Sequence, residues 1–231
     1  MLTLAVIIVV SAALILGALW GIYGSLPEGL EGFIVAMAGG ALTVSVVLEL
    51  VEPATEQAPL WAVALLVLTG AGVFTVLDSL VKKKEGSNSG GGLLLAITLD
   101  GVPENLALGV ALIGAGPLQV AALSGSIFLS NLPEAAGGAK GMAGNGRSNG
   151  KVLGLWAGTA AILAAAALAG NLLLAGVPDV VLALIRSLAG GAVVASLATE
   201  VFPKAFKDGS MTAGVAAAMG LVLAIALDQL G

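Results

Sequence analysis

Apolar residues run along this chain in blocks of about twenty, with short polar breaks between them. A helix that crosses a bilayer takes roughly 20 apolar residues. Blocks of that length predict spanning helices, not the narrow apolar stripe of a soluble helix. Eight such blocks stand at 2–24, 30–51, 60–81, 93–115, 118–142, 152–175, 180–202 and 212–230. Two of the breaks are loops on composition alone: KKKEGSNSGGG at 82–92 and AGNGRSNGK at 143–151. The others are punctuated by proline: SLPEG at 25–29, EPATEQAP at 52–59 and GVPD at 176–179. The first block has no basic start and is too long for a signal core, so it is expected to stay as the first span. The expected fold is an all-α polytopic membrane protein, a single transmembrane domain over 1–231.

The pattern repeats. Shifted by 151 residues, 26–49 lies over 177–200 without a gap, matching Pro27 with Pro178, Gly39 and Gly40 with Gly190 and Gly191, Ser45 with Ser196, and Glu49 with Glu200. The two copies are five spans apart and cross in opposite directions. That predicts an inverted repeat, a common build for secondary transporters. Its halves would be 1–81 and 152–231, around two central spans at 93–142.

Composition sharpens this picture. Hydrophobic residues make up 58% of the chain and charged residues only 10%, with a mean hydropathy of +1.09. A soluble domain carries about 25% charged residues, so a soluble enzyme and a nucleic-acid binder are excluded. With no Cys and no His, thiolate and imidazole ligands are excluded too. Nothing in the chain suggests an ATP-driven pump or an enzyme, and no cofactor is expected.

Nine Lys and Arg residues set the orientation. Lys82, Lys83, Lys84, Lys140, Arg147, Lys151, Lys204 and Lys207 fall on one side of an eight-span chain. That side is expected to be cytoplasmic, with both termini outside a cell membrane. Arg186 lies inside the seventh span, where it would neutralise Asp179 or reach outward. Asp78 and Lys82 stand four apart and read as an ion pair. Trp20, Tyr23, Trp61 and Trp156 read as interface anchors. Glu49 and Glu200 read either as guides for ions at entrance and exit or as interface residues.

The fourth and fifth spans hold the candidate chemistry. The fourth reads Asp100-Gly101-Val102-Pro103-Glu104, and the fifth reads Ser130-Asn131-Leu132-Pro133-Glu134. Residues four apart share a helix face, so Asp100 with Glu104, and Ser130 with Glu134, point the same way. Each proline lacks an N–H and frees a carbonyl, that of Leu99 or Leu129. Broken helices with freed carbonyls form cation sites near the midplane of transporters. A carboxylate at the bilayer centre costs about 3 kcal/mol by insertion scales, and a shared cation offsets it. The plain alternative is a pair of helix kinks with protonated acids. All the available ligands are oxygen, which suits Mg, Ca or Mn.

These motifs resemble the ZIP metal transporters. That family has eight spans, both termini outside, and inverted three-span repeats around spans four and five. Its fourth span carries His-Asn-x-Pro-Glu-Gly, and its fifth carries His or Gln, then Glu, Asp or Gln, then x-Pro-Glu. The runs AGGALTVSVVLELVEPA at 38–54 and AGGAVVASLATEVFPKAF at 189–206 are similar to its second and seventh spans. The resemblance implies that Glu104 and Glu134 are ligands of a transported metal, and that Asp100 stands in for the first histidine. Asn131 matches a ligand position, and Ser130 stands where His or Gln is usual. Gly101 replaces the family's Asn, and 152–175 holds no acid. The implied activity is movement of a divalent cation of the zinc, iron or manganese class toward the cytoplasm, with the lipid bilayer and a possible homodimer as partners. The alternatives are a transport-inactive scaffold or sensor of the same fold and a proton-coupled carrier of another solute.

Overall fold

The computed structural model describes residues 2–25, 27–85, 90–113 and 120–229; the side chain of Asp100 lies outside the described set. Among the described residues there is no strand. The first helix, α1, spans Leu2–Tyr23. The second rod has three parts: α2 (Glu28–Ser45), a π-helical stretch (Val46–Val51) and α3 (Glu52–Gln57). Then follow α4 (Leu60–Glu85), α5 (Gly90–Ala111), α6 (Ala121–Gly144) and α7 (Asn149–Leu173). The next rod is also composite: α8 (Asp179–Ser196), a π-helical stretch (Leu197–Val201) and α9 (Phe202–Gly209). A short 3₁₀ turn leads into α10 (Ala213–Asp228).

Among the described residues, five stretches are long and apolar enough to cross a membrane: Thr3–Tyr23, Gly29–Gln57, Leu60–Lys83, Asn149–Leu173 and Asp179–Gly209; Ala213–Asp228 is a shorter apolar helix. Large apolar side chains cover the outside, as at Leu68, 71% exposed, and Trp61, 72% exposed. In water such a surface would drive aggregation. Against acyl chains it is the expected exterior, and the protein is an all-helical, membrane-embedded one.

Two expected breaks are helical in part. The predicted break at 82–92 is shortened from both ends, since α4 continues to Glu85 and α5 begins at Gly90. Lys82 holds Asp78 one turn back at 2.9 Å, which supports the added turn. The EPATEQAP stretch forms α3, because a proline at the first turn of a helix has no N–H to waste. The expected spans at 93–115 and 118–142 meet at 114–119, which lies outside the described residues.

Each π turn ends two residues before a proline. Pro53 cannot bond the carbonyl of Glu49, nor Pro203 that of Thr199. The chain widens by one residue there, so the N–H of Glu52 reaches Val47 O and that of Phe202 reaches Leu197 O.

The helices assemble as two bundles. In one, α1 packs on α6, α5 on α7, and α1 also on α7. In the other, α2 packs on α10 and α4 on α8, with the first π turn seated against α8. Backbones touch in the second bundle. A β-carbon at Gly40 would strike Ala217 O, and one at Gly220 would strike Met37 O. Likewise Gly191 lies on Val67 O, and Gly70 on Leu188 O. Without a hydrophobic force between helices in lipid, such close approach is what dispersion contact requires. Trp156, expected at the interface, is fully buried with Ala135, Ala139 and Leu163. The small alanines of α6 leave a slot that only a large ring fills.

Candidate metal site between the two bundles

The site helices α5 and α6 pack against each other and face the second bundle: α5 meets α4 and α8, and α6 meets α2 and α10. Both run through their prolines, Pro103 and Pro133, without a break. The expected broken helices are therefore continuous ones. The missing N–H still leaves the carbonyls of Leu99 and Leu129 without their usual donor.

On α6, Ser126, Ser130 and Glu134 recur at intervals of four and are all buried, at 3%, 4% and 8% exposure. This is one face, turned inward. Ser45 of α2 reaches across to it, with its hydroxyl 3.3 Å from that of Ser126. Ser130 donates to Ile127 O at 3.2 Å. Asn131 is 3% exposed, and its amide nitrogen has no hydrogen-bond partner. On α5, Glu104 is buried at 4% exposure, next to Asn105, whose amide donates back to Gly101 O at 2.9 Å. Asp100 has a helical backbone one turn before Glu104, but its side chain lies outside the described residues. Among the described residues no three acidic side chains are grouped to hold a metal ion. Glu104 and Glu134 supply two carboxylates, and Asp100 is the remaining acid of the two motifs.

Gly101 has a local reason. A β-carbon there would lie 2.6 Å from Leu163 Cδ1 of α7. Leucine fills the space that a side chain at 101 would need.

Two features escaped the sequence. An ion pair joins the buried Glu31 of α2 to the half-buried Lys204 of α9 at 2.7 Å. It sits against Gly137, three residues beyond Glu134, where a β-carbon would come within 2.5 Å of Glu31 Oε1. Elsewhere, Glu49, Arg186 and Asp228 line a polar cavity of about 190 Å³. Arg186 feels the charge of Asp179, as expected, and also sends a guanidinium nitrogen to Val110 O at 3.5 Å. Glu200, aligned with Glu49 by the sequence, instead joins the pair of Lys82 and Asp78. An acid buried in an apolar run signals that a partner is needed, but it does not identify a partner distant in sequence.

No family model matches the chain, and no curated protein matches it.

Proposed function

We propose that this protein is a ZIP-like transporter that carries a divalent metal cation across a cell membrane toward the cytoplasm. The observation that carries the reading is the pair Glu104 and Glu134. Each follows a proline inside its helix, on neighbouring helices, and each is buried in the interior. Two carboxylates are costly at membrane depth unless a cation or proton compensates them. Asp100, Ser130 and Asn131 complete an all-oxygen and amide ligand set. The metal is the substrate, and carboxylates must be deprotonated to take it.

An eight-span inverted repeat is part of the same reading, and the glycine contacts support it. The contact of Gly40 with Ala217 matches that of Gly191 with Val67, and Met37 with Gly220 matches Leu188 with Gly70. Up to the π turns the offset is 151, as for Gly40 and Gly191; beyond them it is 150, as for Pro53 and Pro203. The π stretches are 6 and 5 residues long, which absorbs the difference.

Purified protein in vesicles, offered Mn, Fe, Zn, Cd, Co and Mg in turn, tests the function. Uptake of at least one is expected, and Glu104→Gln or Glu134→Gln should each abolish it. Leu163 standing where a ligand would need space at Gly101 favours the second reading, a transport-inactive scaffold. Absence of uptake for all six metals would decide for it.

A further inference from the structure

Glu49 and Glu200 are counterparts in the repeat, yet they do different things in this structure. Each sits in a π turn, a feature frequent at functional sites. Glu49 reaches across the seam between the two bundles. Its carboxylate faces the backbone N–H of Leu123, in the first turn of α6. The first N–H groups of a helix have no partner within it and form its positive end, which suits a carboxylate. One turn back along the same rod, Ser45 meets Ser126 of α6 at 3.3 Å. Beside Glu49, Arg186 of α8 donates to Val110 O, one residue before the end of α5. A cation suits that negative helix end in the same way. One end of each site helix is thus held by a charge from the second bundle. The hold is loose. Glu49, Arg186 and Asp228 surround the cavity of about 190 Å³. One oxygen of Glu49 and Nε of Arg186 are buried there without a hydrogen-bond partner.

Glu200 is turned away from the site helices. It is bonded to Lys82 of α4, which also holds Asp78 at 2.9 Å. The acid pair itself is repeated. Glu200 is offset from Glu49 by 151 residues and Asp228 from Asp78 by 150, the same offsets that the glycine contacts follow. The motifs of α5 and α6 are offset by 30, as for Pro103 and Pro133, so the counterpart of Leu123 is Leu93. Leu93 is in the first turn of α5, and α8 packs on α5 as α2 packs on α6. Glu200 would cap that turn if it did what Glu49 does. Lys82 keeps it instead.

We propose that Glu49 and Glu200 are alternating latches on the two site helices: Glu49 holds the first turn of α6 in this structure, and in the opposite state Glu49 lets go while Glu200 leaves Lys82 and takes the first turn of α5. The proposal rests on the inverted repeat of the transporter reading. In such a repeat the second state follows when the two halves exchange arrangements around a fixed site. Latching the helices at one end and then at the other would open Glu104 and Glu134 to each side of the membrane in turn.

The test is a thiol reporter at Val120, which is 1% exposed in the cavity wall, in a chain with no native Cys. Val120→Cys, purified in detergent without metal, should react slowly with a water-soluble maleimide. Glu49→Gln removes the local latch and should speed labelling by about tenfold, as a minor state gains population. Lys82→Met frees Glu200 at the far end of the molecule and should speed labelling by a similar factor, whereas Lys82→Arg should leave it at the parent rate. Adding Glu200→Gln to Lys82→Met should restore the slow rate, because no carboxylate remains to take α5. Unchanged labelling in Lys82→Met would overturn the proposal, even where Glu49→Gln speeds it. Fast labelling that persists after Glu200→Gln is added would mark a loosened fold, and that too would overturn it. Where Lys82→Met does not fold, Glu200→Gln added to Glu49→Gln gives the answer: it should slow labelling again, and no effect would overturn the latch. The assay needs neither metal nor uptake, so a protein that fails to transport in vesicles can still show the exchange, and a failed exchange leaves the transport reading standing.

Discussion

Glu31 and Lys204 show what a buried charge demands at the scale of single residues. The two are held together at 2.7 Å, with the Glu31 side chain 8% exposed and that of Lys204 24% exposed. Removing one partner of such a pair leaves the other uncompensated. Lys204→Met is expected to destabilise the protein by about 3 kcal/mol, and Glu31→Gln combined with it should recover part of the loss. Thermal unfolding of the single and double variants in detergent measures both. Asp100 carries a second prediction. A neutral imidazole suits zinc better than it suits manganese or magnesium, so Asp100→His should shift the metal preference toward zinc. Binding of the two metals compared over a pH series checks this, and an unchanged ranking would leave Glu104, Asn131 and Glu134 as the better ligand set. The burial of Glu104 and Glu134 was legible in the sequence because a Pro-Glu pair inside an apolar run is conspicuous. Trp156 was misjudged because its helix, α7, is apolar and alanine-rich all round. With no polar stripe, nothing in the pattern says which face turns inward.

Five of the rods were legible, because an apolar block and a spanning helix have the same length. Their ends were not. Helix ends depend on local pairing, as with Asp78 and Lys82, and on whether a proline falls where its missing N–H is harmless, as in α3. The π turns were unreadable for a related reason. Proline was expected to end a helix, but in both composite rods a one-residue widening let the helix continue past it. The glycine contacts yield a prediction at this scale. Gly40→Leu and Gly191→Leu each force a side chain into a facing backbone carbonyl, where nothing flexible can yield. Each should cost about 1–3 kcal/mol or prevent assembly. Gly72 and Gly158 have open space where a β-carbon would stand, and substitutions there should be silent. Comparing the melting temperatures of the four variants tests the assignment.

Across the whole molecule, the two bundles meet along α2–α6, α5–α8, α4–α5 and α6–α10, so the candidate site and the polar cavity lie on one seam. That division was not visible in the sequence, since nearest neighbours here are seldom consecutive helices. The direction of insertion follows only from charge, and the absence of native Cys makes it easy to check. Ser148 and Glu56 are both exposed. A membrane-impermeant thiol reagent applied to intact cells should label Glu56→Cys and spare Ser148→Cys; the reverse would invert the topology. The rods also differ in length. Asp179–Gly209 has 31 residues, or about 46 Å of helix, and α10 has 16, or about 24 Å. Among the described residues, one exceeds the ~30 Å hydrocarbon layer and the other falls short of it. The long rod must tilt or emerge among the headgroups, while lipid beside α10 must thin to meet it. The protein thus wears an uneven collar of lipid, and it deforms its membrane more on the α10 side than elsewhere.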